Sequence, residues 1–194
     1  MRAFMRPTAI RRLSLEARIL YTGFALFMLL GGASSIWLYS DAGLGTRADQ
    51  AARAYLGEPA AAADAEAEIA PDAGPALQLP AESPAPLYLA KPPRQVLEAF
   101  HFHVFIMPVV LLIIAHLFMM CSLTPRLKAT TIAVACAATL LHLVAPLLIR
   151  FVSAGLAGLL FPSALILGIT WLVMLLLPVW EMWRDAPADP PAAT

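Results

Sequence analysis

The residues best suited to chemistry in this chain are its four histidines, His101, His103, His116 and His142. Three of them fall within RQVLEAFHFHVFIMPVVLLIIAHLFMM, Arg94 to Met120, an apolar run that reads as one long helix. Ionisable side chains are expensive inside a bilayer, so an intramembrane histidine is a functional-site hypothesis by default. At about 100° per residue, His101 and His116 are some 60° apart and share one face of that helix. His103 points to another face, together with Met107 one turn later. At about 1.5 Å rise per residue, His101 and His103 lie at the extracytoplasmic surface, and His116 roughly 20 Å deeper. His142, on the following apolar run, is expected about 10 Å below that surface and roughly 8 Å from the level of His103.

Three kinds of chemistry fit these residues. Imidazoles are axial ligands of haem iron, and two of them two-thirds of a membrane apart on one helix suit two stacked b-type haems. Lys91, Arg94 and Arg150 at the surface could pair with the propionates. Two bis-histidine haems need four ligands on at least two helices, and the partner helices offer only His142. A homodimer or another membrane subunit would then complete the set. A copper site is the second reading, with His101, His103, His116 and Met107 as ligands, because thioethers suit Cu(I). The third is a quinol or proton site, with Glu98 three residues from His101 and the aromatics Phe100, Phe102 and Phe105 close by. Beside these stands a purely structural role. His116 would bond a threonine across the bundle (Thr22, Thr131 or Thr170), His142 would make an interhelical bond, and the methionines and phenylalanines would be packing.

The elements that must position the histidines follow from composition. The 194 residues are 60% hydrophobic and 13% charged, with mean hydropathy +0.75. Soluble domains carry about 25% charge, so this is a polytopic membrane protein. Residues 1–18 are a basic leader with five arginines against one acid. Residues 19–40 form the first transmembrane helix. Trp37 and Tyr39 close it as an interfacial anchor, which argues for a retained span over a cleaved signal peptide. Its Gly31-Gly32-Ala33-Ser34-Ser35 patch suits a closely approaching helix. Residues 41–92 are a loop, with a short helix over Thr46–Leu56 and then an Ala/Pro-rich flexible linker. Residues 93–184 hold three more spans, at about 93–121, 130–149 and 160–180, with Pro108 and Pro146 inside helices. Residues 185–194 read as a disordered tail. The expected fold is all-α, an integral membrane antiparallel four-helix bundle with a disordered Ala/Pro-rich extracytoplasmic loop.

Lysine and arginine placement orients the bundle. Eight basic residues fall in the leader, the loop after the second span and the C-terminal tail, against five on the opposite side. Both termini are therefore expected in the cytoplasm, in a multi-pass inner-membrane protein whose acidic loop faces outward. No basic patch interleaved with aromatics lies outside the spans, which argues against nucleic acid as a partner. Cys121 and Cys136 belong to no CxxC or CxxCH pattern, so covalent haem attachment and thiol-redox chemistry are not indicated. No hydrolase triad, nucleotide loop or zinc-protease helix is present.

The segments LEAFHFHVFIMP…AHLF, LYTGFALFMLLGG…SIWLY and LPVWEMW resemble a family of small bacterial four-helix integral membrane proteins. His101, His103, Met107 and His116 match that family's pattern, and His142 stands outside it. The resemblance implies fold and membrane location and carries no activity. A more distant similarity to membrane b-type cytochromes rests on histidine spacing. The expectation is an inner-membrane subunit of a respiratory or related redox system, with His101, His103, His116, His142, Arg94 and Arg150 as cofactor-binding residues for haem or quinol. Two alternatives accompany it, a non-catalytic accessory or assembly subunit of a larger complex and a copper-handling membrane protein. An electron-transfer or accessory role is favoured over a stand-alone enzyme.

Overall fold

Start signals in the sequence set the ends of the long helices. The computed structural model describes residues 9–41, 44, 46–57 and 89–184. Helix α1 spans Leu15–Asp41, α2 Ala48–Leu56, α3 Pro93–Met119, α4 Pro125–Phe151 and α5 Leu160–Met182. Proline begins both α3 and α4, where a missing N–H costs nothing. The Thr124 hydroxyl caps α4 by accepting from the Leu127 N–H at 3.4 Å. A 3-10 turn, Ala154–Leu159, leads into α5. Four segments are long and apolar enough to cross a membrane, as expected. The expected Ala/Pro-rich linker between Gly57 and Leu89 and the expected disordered tail lie outside the described residues.

Helices α3, α4 and α5 pack on one another, and α1 lies along α5. Leu111, Ile114, Phe118, Ala135 and Met174 form the shared core, joined by Ala25 from α1. Inside a bilayer such packing is held by close van der Waals contact and interhelical hydrogen bonds, because lipid tails are as apolar as leucine. The chain enters and leaves at one end of the bundle, where the Trp183 indole N–H donates to the Thr22 hydroxyl at 3.0 Å. This terminal end is more ordered than a basic leader implies. Residues Ala9–Arg12 make a 3-10 turn, and Ile10 is completely buried in the core cluster. The Arg18 guanidinium holds that turn by donating to the carbonyls of Leu13 at 3.0 Å and Arg11 at 2.7 Å.

The opposite end is capped by α2. Its Ala51 and Ala54 are buried with Leu44, Ala145, Ile149, Ala157 and Leu160. The short helix begins at Ala48, two residues later than expected, and Gly57 ends it at φ 81°, a left-handed conformation that glycine adopts without strain. Lys91 clips α2 to the bundle. Its N–H donates to the Tyr55 carbonyl at 3.1 Å, and its ammonium lies 4.4 Å from the Tyr55 ring centroid. Arg150 Nε of α4 donates in turn to the Lys91 carbonyl at 3.1 Å.

Among the described residues, the Gly31–Ser35 patch meets no neighbouring helix. Residues Leu30 to Leu38 of α1 are exposed all round, and a Cβ built on Gly31 or Gly32 finds nothing within 4 Å. Of α1, Tyr21 to Leu29 reaches the shared core, and Tyr39 near its end packs on the cluster beneath α2.

Candidate functional site

Helix α3 has two chemically different faces. One runs Arg94, Glu98, His101, Phe105, Val109, Leu112, His116, and every member is exposed. His101 and His116 do share a face, and it points away from the bundle. At the capped end of this stripe Arg94 Nε donates to Glu98 Oε1 at 2.7 Å. The His101 ring stands edge-on to Phe105, with centroids 5.2 Å apart, and to Phe102 at 6.0 Å. Arg94, Leu97, Glu98, Phe100, His101 and Phe102 line an open groove there. Neither His101 nor His116 has a hydrogen-bond partner among the described residues. Two of the threonines expected to serve His116 are engaged elsewhere. Thr22 receives the Trp183 indole, and Thr170 donates to the carbonyls of Ile166 and Leu167 at 2.8 and 3.0 Å.

His103, also exposed, lies elsewhere around α3, with half-buried Met107 one turn further along. Its Nδ1 sits 2.6 Å from the Ala99 carbonyl, an acceptor-only group, so Nδ1 carries the proton. His142 of α4 is held from α5. Its Nδ1 is 3.2 Å from Ser163 Oγ, and that hydroxyl donates to the Leu160 carbonyl at 2.8 Å. The serine proton is therefore committed, so the Ser163 oxygen accepts and His142 Nδ1 donates. This bond is the interhelical one expected for His142.

The depth expected for this pair is corrected by the hairpin. His103 precedes Met119 by 16 residues (119 − 103), and His142 follows Pro125 by 17 (142 − 125). At about 1.5 Å per residue the two lie about 24 and 26 Å from the turn, so they are level. The offset of roughly 8 Å came from counting depth from the edges of the apolar runs. The tight α3–α4 turn and two helices of 27 residues each set it instead.

The basic residues expected to receive propionates are only partly available. Lys91 lies against Tyr55, where burial pushes its pKa below the ordinary lysine range. Arg150 commits Nε to the Lys91 carbonyl, and Arg94 is paired with exposed Glu98. The α3–α4–α5 interior is filled by apolar side chains, so a haem does not fit inside one chain. On the outward face of α3 the donor set suits it better, with two unpartnered imidazoles, aromatic neighbours and an exposed arginine. Among the described residues no group of three or more His, Cys, Asp or Glu is placed to hold a metal ion.

Glu181 is the residue that sequence reasoning missed. At the close of α5 it is 2% exposed. Its carboxylate accepts from the Ser122 N–H at 2.9 Å to Oε2 and 3.3 Å to Oε1, and from the Ser122 hydroxyl at 2.7 Å. Lys128 Nζ caps the end of α3 nearby by donating to the carbonyls of Met119 at 2.8 Å and Cys121 at 3.1 Å. Burial pushes the Cys121 thiol up to about 12, with the Glu181 charge adding to the shift and Lys128 opposing it. The available signal was an acid one residue before the end of a 23-residue apolar helix, a place where burial demands a partner.

Residues 45–189 match the Aq_1264_TM family, described as a transmembrane helical domain. No curated protein and no solved structure matches the chain. The matched stretch takes in α2 and the three mutually packed helices, and it begins after α1. The chain belongs to this family of transmembrane helical domains.

Proposed function

We propose that this transmembrane protein is an electron-transfer subunit of a respiratory or related redox system, with b-type haem bound on the outward face of α3 between two copies of the chain. The observation that carries the reading is the exposure of His101 and His116 on one stripe, without partners, at two levels of an apolar helix. A polar ring facing lipid tails is costly, so the stripe calls for a cover that offers it bonds. Two copies inserted in the same direction and related by an axis along the membrane normal would set α3 beside α3. His101 would then face the same residue of the second copy, and likewise His116, giving four imidazoles in two pairs. Arg94 and Glu98, already paired within the chain, could exchange partners across such an interface, and Arg94 lies where a propionate would emerge. Bound haem supplies one-electron carriage, and the imidazoles and the burial around it tune the potential. The positive-inside pattern supports an inner-membrane orientation with both termini in the cytoplasm and α2 outside.

The test is a reduced-minus-oxidised visible spectrum of the detergent-purified protein with its haem-to-chain ratio. About one haem per chain is expected, with His116→Ala losing roughly half and His101→Ala the other half. Absence of haem absorption from protein purified from haem-replete cells overturns the reading. A second reading, a non-catalytic accessory subunit, is favoured by α1. Its bare half, Leu30 to Leu38, is a surface for another subunit's helix. Co-purification of one membrane partner lost on Gly31→Leu, with no haem present, would select it.

A further inference from the structure

We infer that α5 binds one anionic phospholipid at the terminal end of the bundle. Arg184 and Trp180 would hold the headgroup, and an apolar groove on α5 would take an acyl chain. The groove has a volume of about 400 Å³ and is lined by Leu172, Val173, Leu176, Leu177 and Trp180. At about 100° per residue Val173, Leu176 and Trp180 fall on one stripe of the helix. At about 1.5 Å per residue, Leu172 to Trp180 covers about 12 Å, most of the ~15 Å of hydrocarbon in one leaflet. The stripe therefore runs from acyl-chain depth to the interface, the level that tryptophan favours. One turn beyond Trp180, the Arg184 guanidinium carbon lies 4.4 Å from the centroid of that ring.

Charge selects the headgroup. A guanidinium lying over an aromatic face keeps its N–H edge free, and that edge matches phosphate oxygens. No carboxylate pairs with Arg184 among the described residues. Glu181, three residues earlier, is buried and accepts from Ser122 instead. The rest of this end adds to the demand. Among the described residues, Arg11, Arg12, Arg18, Arg126, Lys128 and Arg184 stand there against two acids, Glu16 and Glu181. Arg18 and Lys128 are held by backbone carbonyls, which fix a cation in place without neutralising it. Basic pockets at the ends of membrane helices bind anionic lipid headgroups on this ground. A lipid of net negative charge supplies the missing anion and fills the groove in one molecule. A zwitterionic lipid brings its own cation and loses that advantage.

The experiment is native mass spectrometry of the full-length protein in detergent, titrated with dioleoylphosphatidylglycerol or with dioleoylphosphatidylcholine. One phosphatidylglycerol per chain is expected, held about tenfold more tightly than phosphatidylcholine, the scale of one charged hydrogen bond. Arg184→Gln should bring the two lipids level. Arg184 is exposed, so its variants leave the packing of the bundle intact. Arg184→Lys should keep part of the preference, because the charge stays and the stacked fork is lost. Leu176→Trp, which fills the groove, should weaken both lipids alike. Arg126→Gln should bind as the parent does, which separates the site from the general charge of this end. His116→Ala should do so too, which keeps the outcome independent of the haem reading. Glycerol 3-phosphate at the same concentration should not displace the lipid, since it cannot use the groove. Equal binding of the two lipids, a preference that survives Arg184→Gln or is equally lost in Arg126→Gln, or displacement by glycerol 3-phosphate would overturn the assignment.

Discussion

Replacing Glu181 tests whether the terminal end of the bundle is held by a buried carboxylate. Two groups depend on it, the N–H and the hydroxyl of Ser122, through contacts of 2.7–3.3 Å. Hydrogen bonds to charged groups contribute about 1.5–3 kcal/mol each in soluble proteins. Interhelical bonds in a membrane protein average about 0.6 and reach about 1.7 kcal/mol. The second scale applies to a helix end in a bilayer protein, and its upper part applies to a charged acceptor at 2% exposure. Glu181→Ala should therefore cost about 2 kcal/mol, a factor of about 30 in the unfolding equilibrium. Glu181→Gln keeps one acceptor oxygen but turns an amide toward the Ser122 N–H, and should cost about 1 kcal/mol. Ser122→Ala removes only the hydroxyl bond, also about 1 kcal/mol. The two positions share one contact, so the double variant should be less destabilised than the sum by about 1 kcal/mol. Reversible unfolding in mixed micelles, followed by tryptophan fluorescence, measures all four variants. A Glu181→Ala protein within 0.3 kcal/mol of the parent (~, on the scale of additivity error), or a strictly additive cycle, would refute the reasoning.

Other outcomes follow from particular contacts. A Cys121 thiol at about 12 leaves roughly one part in 10⁴ as thiolate at pH 8. Cys121 should therefore resist maleimide in the folded protein, and the rate should rise about tenfold per pH unit as the thiolate grows, until unfolding intervenes. Gly31→Ala should stabilise the isolated chain by up to about 1 kcal/mol, since the new Cβ meets nothing. A loss measured in the native membrane but not in detergent would reveal a neighbour from another chain. Arg150→Ala removes the bond to the Lys91 carbonyl. Protease cleavage near Lys91 should rise several-fold, corresponding to about 1 kcal/mol, while the core helices stay intact by circular dichroism.

The spans were legible because each is a long apolar run bounded by proline, threonine or aromatic residues, signals that act locally. The helix ends were less so. Helix α1 starts at Leu15, within the stretch read as leader, because Arg18 finds two backbone carbonyls and so needs no water. The shared face of His101 and His116 was legible from periodicity alone. Its outward direction was not, since periodicity orders residues around a helix without saying which side meets the bundle. The level of His142 was misjudged for a related reason. Hydropathy marks where an apolar run begins, whereas register is set by a turn of five residues, Met120 to Thr124, that carries little hydropathy signal. Glu181 was hidden for a third reason. Its partner is 59 residues away, and only the folded hairpin brings Ser122 to it.

The outward stripe of α3 is the part of the molecule that one chain leaves unfinished. His101 and His116 turn away from the bundle, and nothing in the described chain satisfies them. A site on this stripe needs a second chain and should be lost as the protein is diluted below the dissociation constant of the dimer. Measuring haem content across a detergent dilution series tests this, and haem should track dimer. Haem that stays constant per chain into the monomer range would show that the outward stripe is not where it binds.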